Sequence, residues 1–142
     1  MKLVRHLLDS KGRDVVSIAP GASVLDAIRL MSDRGIGALI VMEGDSLAGI
    51  LTERDYARKV ILKGRASDAT EVREIMTHDV ITTSSSESVE NCMNTVTEKR
   101  IRHLPVVDDG KICGIISIGD LVKAIISDQQ QAIEQLEHYI SG

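Results

Sequence analysis

Phenylalanine and tryptophan are absent from this 142-residue chain, and Tyr56 and Tyr139 are its only aromatic side chains. Single-stranded nucleic acid is usually gripped by bases stacking on aromatic platforms, so composition argues against that partner. A formal net charge of −4 and a pI near 5.5 also oppose a binder of the phosphate backbone. Long hydrophobic runs are missing too. The N-terminal MKLVRHLLDSKGRD has no apolar stretch of signal-peptide length, and no later run approaches a membrane span. The expectation is a soluble, cytoplasmic protein with no membrane partner. Cysteine is scarce: Cys92 and Cys113 stand alone, without a Cys-x-x-Cys pair. Buried free thiols in a reducing compartment are expected.

What the chain does have is one sequence written twice, 65 residues apart. GILTERD (Gly49 to Asp55) slides onto GIISIGD (Gly114 to Asp120), and residues 14–55 align without a gap on residues 79–120. Ten positions are identical, among them Asp14/Asp79, Ser23/Ser88, Leu39/Leu104, Val41/Val106, Gly49/Gly114 and Asp55/Asp120. Cys92 and Cys113 replace Ala27 and Ala48 in this register, so each fills a small-residue slot. Two copies are too few for a solenoid, and two half-units packed face to face are the natural arrangement.

Each copy reads β-α-β-β-α. An extended opening segment (Val15–Ile18; Val80–Thr83) leads to a turn, and a helix then starts at Ser23 or Ser88, whose hydroxyls suit N-caps. The stripe Val24, Ala27, Ile28, Met31 has helical spacing, as does Val89, Cys92, Met93, Val96. Gly35 suits a left-handed C-cap; Arg100 fills that slot in the second copy, which predicts a different cap there. Two strands follow, joined by the turn Glu43-Gly44-Asp45 or Asp108-Asp109-Gly110. A second helix begins after Thr52 or Ser117, and the first copy's runs from Glu53 towards Lys63 and stops at Gly64. Thr70 is placed to cap Glu71–Met76, a short leading helix whose Val72-Arg73 echoes Val4-Arg5. From Leu121 the helical pattern continues to Ile140. Val122, Ile126, Gln129, Ile133, Leu136 and Ile140 alternate steps of four and three, the seam of a coiled coil that Gln129 interrupts; the expectation is packing against another subunit as a homodimer, with folding back on its own core as the alternative.

Chemistry concentrates at Gly-apolar-apolar-(Thr/Ser)-x-x-Asp. Gly49 and Gly114 lie within strands, where glycine is unfavourable unless something approaches the backbone closely. Thr52 and Ser117 mark strand-to-helix corners, whose hydroxyls and free N–H groups suit a phosphate. Asp55 and Asp120 lie one turn on, where a carboxylate can accept both hydroxyls of a ribose. The same spacing also makes a helix capping box. Both readings stand.

With IRHLPVVDDGKICGIIS before the second corner, these residues resemble a pair of cystathionine β-synthase (CBS) domains, from about Val4 to Ile126. The resemblance is greatest to small stand-alone pairs carrying GALIV, AGILTERDYARKVI and IRHLPV. It implies an α+β fold of two β-α-β-β-α repeats packed as a pseudo-two-fold module, plus a C-terminal helical extension. The expected division is residues 1–64 as repeat 1 with its leading helix, 65–126 as repeat 2 and 127–142 as an oligomerisation helix. Such clefts bind adenosyl ligands, AMP above all, and also ADP, ATP, NAD or S-adenosylmethionine. By the resemblance one cleft combines Thr52 and Asp55 with Val80, Ile81, Arg102, His103 and Pro105. The other combines Ser117 and Asp120 with Val15, Val16, Gly37 and Ala38. Arg102-His103 offers phosphate partners and Gly37-Ala38 none, so the Asp55 cleft is expected to bind more tightly; Arg54 is a further candidate phosphate contact.

Catalysis is not expected. His6, His78, His103 and His138 show no metal-ligand spacing, and no serine sits in a nucleophile elbow. The implied function is a regulatory nucleotide sensor acting on an effector protein in trans. The alternative is a structural dimerisation or scaffold module with vestigial clefts.

Overall fold

The computed structural model describes residues 2–141. Its elements are α1 (Val4–Lys11), β1 (Ser17–Ile18), α2 (Val24–Arg34), β2 (Ala38–Glu43), β3 (Ser46–Thr52), α3 (Glu53–Tyr56), α4 (Val72–Ile75), α5 (Val89–Lys99), β4 (His103–Asp108), β5 (Lys111–Ser117) and α6 (Ile118–Ser141). A π-helical turn, Ala57–Ile61, extends α3, and a 3₁₀ turn, Ser67–Ala69, precedes α4. No described helix is long and apolar enough to cross a membrane.

The chain forms two compact units. The first-copy unit comprises Val15–Ile81 with Gly110–Ile112; the second-copy unit comprises Met1–Asp14, Thr82–Asp109 and Cys113–Gly142. The leading helices are therefore exchanged relative to sequence order, and the division at residue 64 does not describe how they pack. Near α1, Val4 N donates to Glu87 O (2.9 Å) and Val89 N donates to Lys2 O (3.0 Å). Near α4, Val72 N donates to Ala22 O (2.9 Å) and Val24 N donates to Thr70 O (2.8 Å). One arrangement of backbone bonds thus docks a leading segment beside the start of α2 and another beside the start of α5.

In the first-copy unit β1 runs parallel to β2, with Ser17 opposite Ile40, and β2 runs antiparallel to β3. Val41 faces Gly49 while Met42 faces Leu47, so Ala48 is the extra residue of a bulge. Gly44, at φ 62°, is the first of the two turn residues between Glu43 and Ser46, as in a type II′ hairpin. Val24, Ala27, Met31, Leu39, Val41, Leu51, Val60, Val72, Ile75 and Met76 form the core.

Strands β4 and β5 form a hairpin, and Asp109 and Gly110 both take positive φ (51° and 76°), as type I′ requires. The second copy's opening segment shrinks to a single parallel bridge, Thr83 to Val106. Proline explains the loss. Ile40 N donates to Val16 O in the first copy (3.2 Å), whereas Pro105 stands at the Ile40 position and has no N–H.

Ser23 and Ser88 cap as expected, each hydroxyl accepting from the backbone N–H three residues on. Two expectations about helix ends fail. Arg100 adopts the same left-handed C-cap as Gly35, with φ 55° and 64° respectively, at a cost of about 1 kcal/mol for a residue with a Cβ. Its N–H reaches Val96 O, and Ile101 N also donates to Val96 O (3.1 Å); these bonds hold the cap closed. Thr70 does not cap α4: its buried hydroxyl donates to Ala66 O (2.7 Å), and Glu74 accepts from Glu71 N instead (2.7 Å).

Beyond Ser127 the residues of α6 are all exposed. The apolar seam stands in solvent, with Ile133 55%, Leu136 59% and Ile140 75% exposed, so it does not fold back on its own chain.

Candidate functional site

Both Thr/Ser-x-x-Asp segments lie where a strand becomes a helix, and each forms a closed capping box. In the first-copy unit Thr52 ends β3 and Asp55 lies in α3. Asp55 N donates to Thr52 Oγ1 (3.2 Å), while Asp55 Oδ2 accepts from Thr52 N (3.0 Å) and from its hydroxyl (3.1 Å). Asp55 Oδ1 pairs with Lys59 Nζ at 3.1 Å, and the residue is 8% exposed. Glu53 N, the next free helix donor, is taken by Gly37 O (3.1 Å), and Ala38 lies opposite Thr52 in the sheet. Arg54 is exposed on the same turn. Val16 accepts from Ile40 N as the chain enters β1, and Val15, Val80 and Ile81 are half-buried in this unit.

The second-copy unit repeats the corner. Asp120 N donates to Ser117 Oγ (3.2 Å) and Asp120 Oδ2 accepts from Ser117 N (2.8 Å). Lys11 Nζ, from α1, contacts the same Oδ2 at 2.6 Å and Ile115 O at 3.0 Å. Ile118 N donates to Arg102 O (2.9 Å), the counterpart of Glu53 with Gly37. Arg102, His103 and Pro105 thus share a unit with Ser117 and Asp120, while Gly37 and Ala38 share one with Thr52 and Asp55. The lysines went unread in the sequence. Lys59 had a signal, four residues after Asp55 on one helix face; Lys11, 109 residues from Asp120, had none.

The strand glycines are explained by the protein itself. A Cβ on Gly49 would lie 2.7 Å from Thr77 O and 2.7 Å from Met76 Sδ; on Gly114 it would lie 2.6 Å from Leu8 Cδ2. The segment after α4 fills one space and α1 fills the other. The close approach inferred for these glycines is internal packing.

Burial pushes the Asp120 carboxyl up, but its hydrogen bonds from Lys11 and Ser117 N outweigh this and hold it below its ordinary value of 3.8. A carboxyl depressed in the fold stabilises it above the unfolded value, and that contribution disappears as pH falls through the folded one. The advantage of wild type over Lys11→Met in thermal melts should therefore shrink as pH falls below 3.8. A constant gap would show that the ion pair contributes nothing. The two thiols are raised, chiefly by burial, so Cys92 and Cys113 are poor nucleophiles.

The CBS domain family matches residues 5–62 and 72–127. The chain belongs to that family. It is 53% identical, at a TM-score of 0.87, to a protein with CBS domains from Burkholderia ambifaria MC40-6, covering 90% of this chain and 96% of that one. It is also 42% identical over 125 residues to the mitochondrial CBS domain-containing protein CBSX3 of Arabidopsis thaliana. That match takes in 84% of this chain but 61% of the plant protein. The CBS domain pair of protein MJ0100, solved with 5′-methylthioadenosine and S-adenosylmethionine, is 25% identical at a TM-score of 0.81, covering 90% of this chain and 98% of that one. The fold is accordingly the α+β CBS pair, with α6 extending it at the C-terminus.

Proposed function

We propose that this CBS pair is a regulatory binding module for adenosyl ligands, AMP first among them, with ADP, ATP, NAD or S-adenosylmethionine as further candidates. The observation that carries the reading is the twice-built corner of hydroxyl, helix-start N–H groups and carboxylate at Thr52/Asp55 and Ser117/Asp120. A ribose carries two hydroxyl donors, and a carboxylate takes both in charge-assisted bonds. Adenosyl binding by the MJ0100 pair supports the same choice. At the first corner the ligand has to displace Lys59, whose side chain is 43% exposed and whose surface ion pair is worth only about 0–1 kcal/mol.

The module works in the cytoplasm, as a homodimer joined through the α6 seam, and passes ligand occupancy to a partner protein in trans. A ligand does this only by binding two conformations unequally. Nothing in the proposed chemistry makes or breaks a covalent bond.

A second reading has its own support. Both carboxylates are already satisfied by backbone N–H groups and lysines, which is how a scaffold with vestigial clefts would look. Calorimetric titration with AMP, ADP, ATP, NAD, NADH and S-adenosylmethionine separates the two. Saturable binding of at least one adenosyl ligand is expected; silence from all of them at millimolar concentration would leave the scaffold.

A further inference from the structure

Helix α6 runs on past its own unit. Leu121 and Ala124 near its start are buried, whereas every described residue after Ser127 is exposed. Val122, Ile126, Ile133, Leu136 and Ile140 are between 41% and 75% exposed. Together with Gln129 they share one face, about 27 Å long from Val122 to Ile140. An apolar stripe of that length standing in water marks an interaction surface.

The residues beside the stripe point to its occupant. In heptads, Ile126, Ile133 and Ile140 take position a, and Val122, Gln129 and Leu136 take position d. The e positions are then Lys123, Gln130 and Glu137, all polar; the g positions are Ile125, Ala132 and Tyr139, with large or small apolar bodies. Parallel helices set g of one against e of the other. Ile125 would then meet the partner's Gln130, and Ala132 the partner's Glu137. Antiparallel helices set e against e and g against g, which keeps polar with polar and apolar with apolar.

One two-fold antiparallel register layers all six seam residues. Val122 lies opposite the partner's Ile140, Ile126 opposite the partner's Leu136 and Gln129 opposite the partner's Ile133. The same register sets Lys123 against the partner's Glu137 twice, once at each end, and Tyr139 over the partner's Ile125. Lys123 and Glu137 are exposed, and neither makes an ion pair among the described residues. Parallel packing has one point in its favour, Gln129 against its own copy; the three positions on each flank weigh the other way.

We propose that two copies of this chain join through α6 as an antiparallel coiled coil, Lys123 of each copy pairing with the partner's Glu137. This orientation rests on α6 being the dimer contact, and adds the residues that select its direction.

Sedimentation equilibrium of the full chain should show self-association. Reversing either charge, Lys123→Glu or Glu137→Lys, turns two attractive pairs into two repulsive ones and should weaken association about tenfold. Lys123→Glu combined with Glu137→Lys restores both pairs and should return association to the wild-type level. Glu134→Lys, exposed and off the seam, changes net charge as Glu137→Lys does and should have no effect. Oxidation should crosslink Ile126→Cys to Leu136→Cys in a mixture of the two proteins. Leu136→Cys alone should stay uncrosslinked, because its two copies lie about 15 Å apart along the axis. Wild type, with Cys92 buried and Cys113 half-buried, is the blank. Monomeric wild type would remove the seam contact and this orientation with it. Self-crosslinking of Leu136→Cys, indifference to the single reversals, or no rescue by the double reversal would overturn the antiparallel pairing alone.

Discussion

Gly49→Ala should destabilise the protein by about 3 kcal/mol, at the upper end of what overpacking costs, lowering the melting temperature by roughly 6–12 °C. The new methyl would meet Thr77 O at 2.7 Å, and that carbonyl is fixed because it accepts from Ile50 N (3.0 Å) while Thr77 N donates to Ile50 O (2.9 Å). Trimming Met76, the other close neighbour, leaves the carbonyl in place, so Met76→Ala should not rescue the variant. For Gly114→Ala the nearest atoms belong to a flexible side chain, Leu8 Cδ2 at 2.6 Å and Cδ1 at 3.2 Å, and the change should cost nearer 1 kcal/mol. In a Leu8→Ala background, itself about 2–4 kcal/mol less stable, Gly114→Ala should become neutral. Chemical denaturation of the two double-mutant cycles checks this contrast. Equal costs at both glycines, or rescue at Gly49 by Met76→Ala, would mean that backbone contact is not what forbids a side chain there.

The contrast also shows which parts of this structure are legible in its sequence. The repeat, the two hairpins and the caps at Ser23 and Ser88 depend on residues within a few positions of one another, and local chemistry specifies them. The Thr/Ser-x-x-Asp boxes were legible in the same way, as was their second meaning. The exchange of α1 and α4 was not. Helical periodicity says that Val4, Leu7 and Leu8 need burial, but not which copy supplies it. Backbone bonds from Lys2 to Val89 and from Thr70 to Val24 settle that, and backbone groups leave no mark in a sequence pattern. Arg100 failed differently: a cap rule based on glycine misses a residue forced into the left-handed region by bonds to Val96. The opening segment of the second copy, expected to match the first, is reduced to one bridge; Pro105, whose missing N–H removes a ladder bond, was the residue that carried this signal.

Replacing each corner carboxylate by its amide should separate ligand binding from helix capping. Asp55→Ala removes the acceptor for Thr52 N and the partner of Lys59 together, so it should cost about 1–2 kcal/mol of stability and confound any affinity measurement. Asp55→Asn keeps an oxygen where Oδ2 sits and loses the charge. Its melting temperature without ligand should stay close to wild type, since the amide oxygen still accepts from Thr52 N, as Gln can stand for Glu in a capping box. Affinity for adenosine at that corner should fall at least tenfold, about 1.4 kcal/mol, because an amide cannot match a carboxylate facing two hydroxyl donors. Asp120→Asn should act likewise on the second corner, with one difference. Its charge is matched by Lys11, which also holds Ile115 O, so the amide releases part of the tie from α1 and the melting temperature should fall somewhat. Adenosine titrated into both variants, beside melts of the same samples, reads the two effects independently. Undiminished adenosine binding in both amide variants would assign the carboxylates to capping alone, and the duplicated corner would then owe its second copy to the fold and not to a ligand.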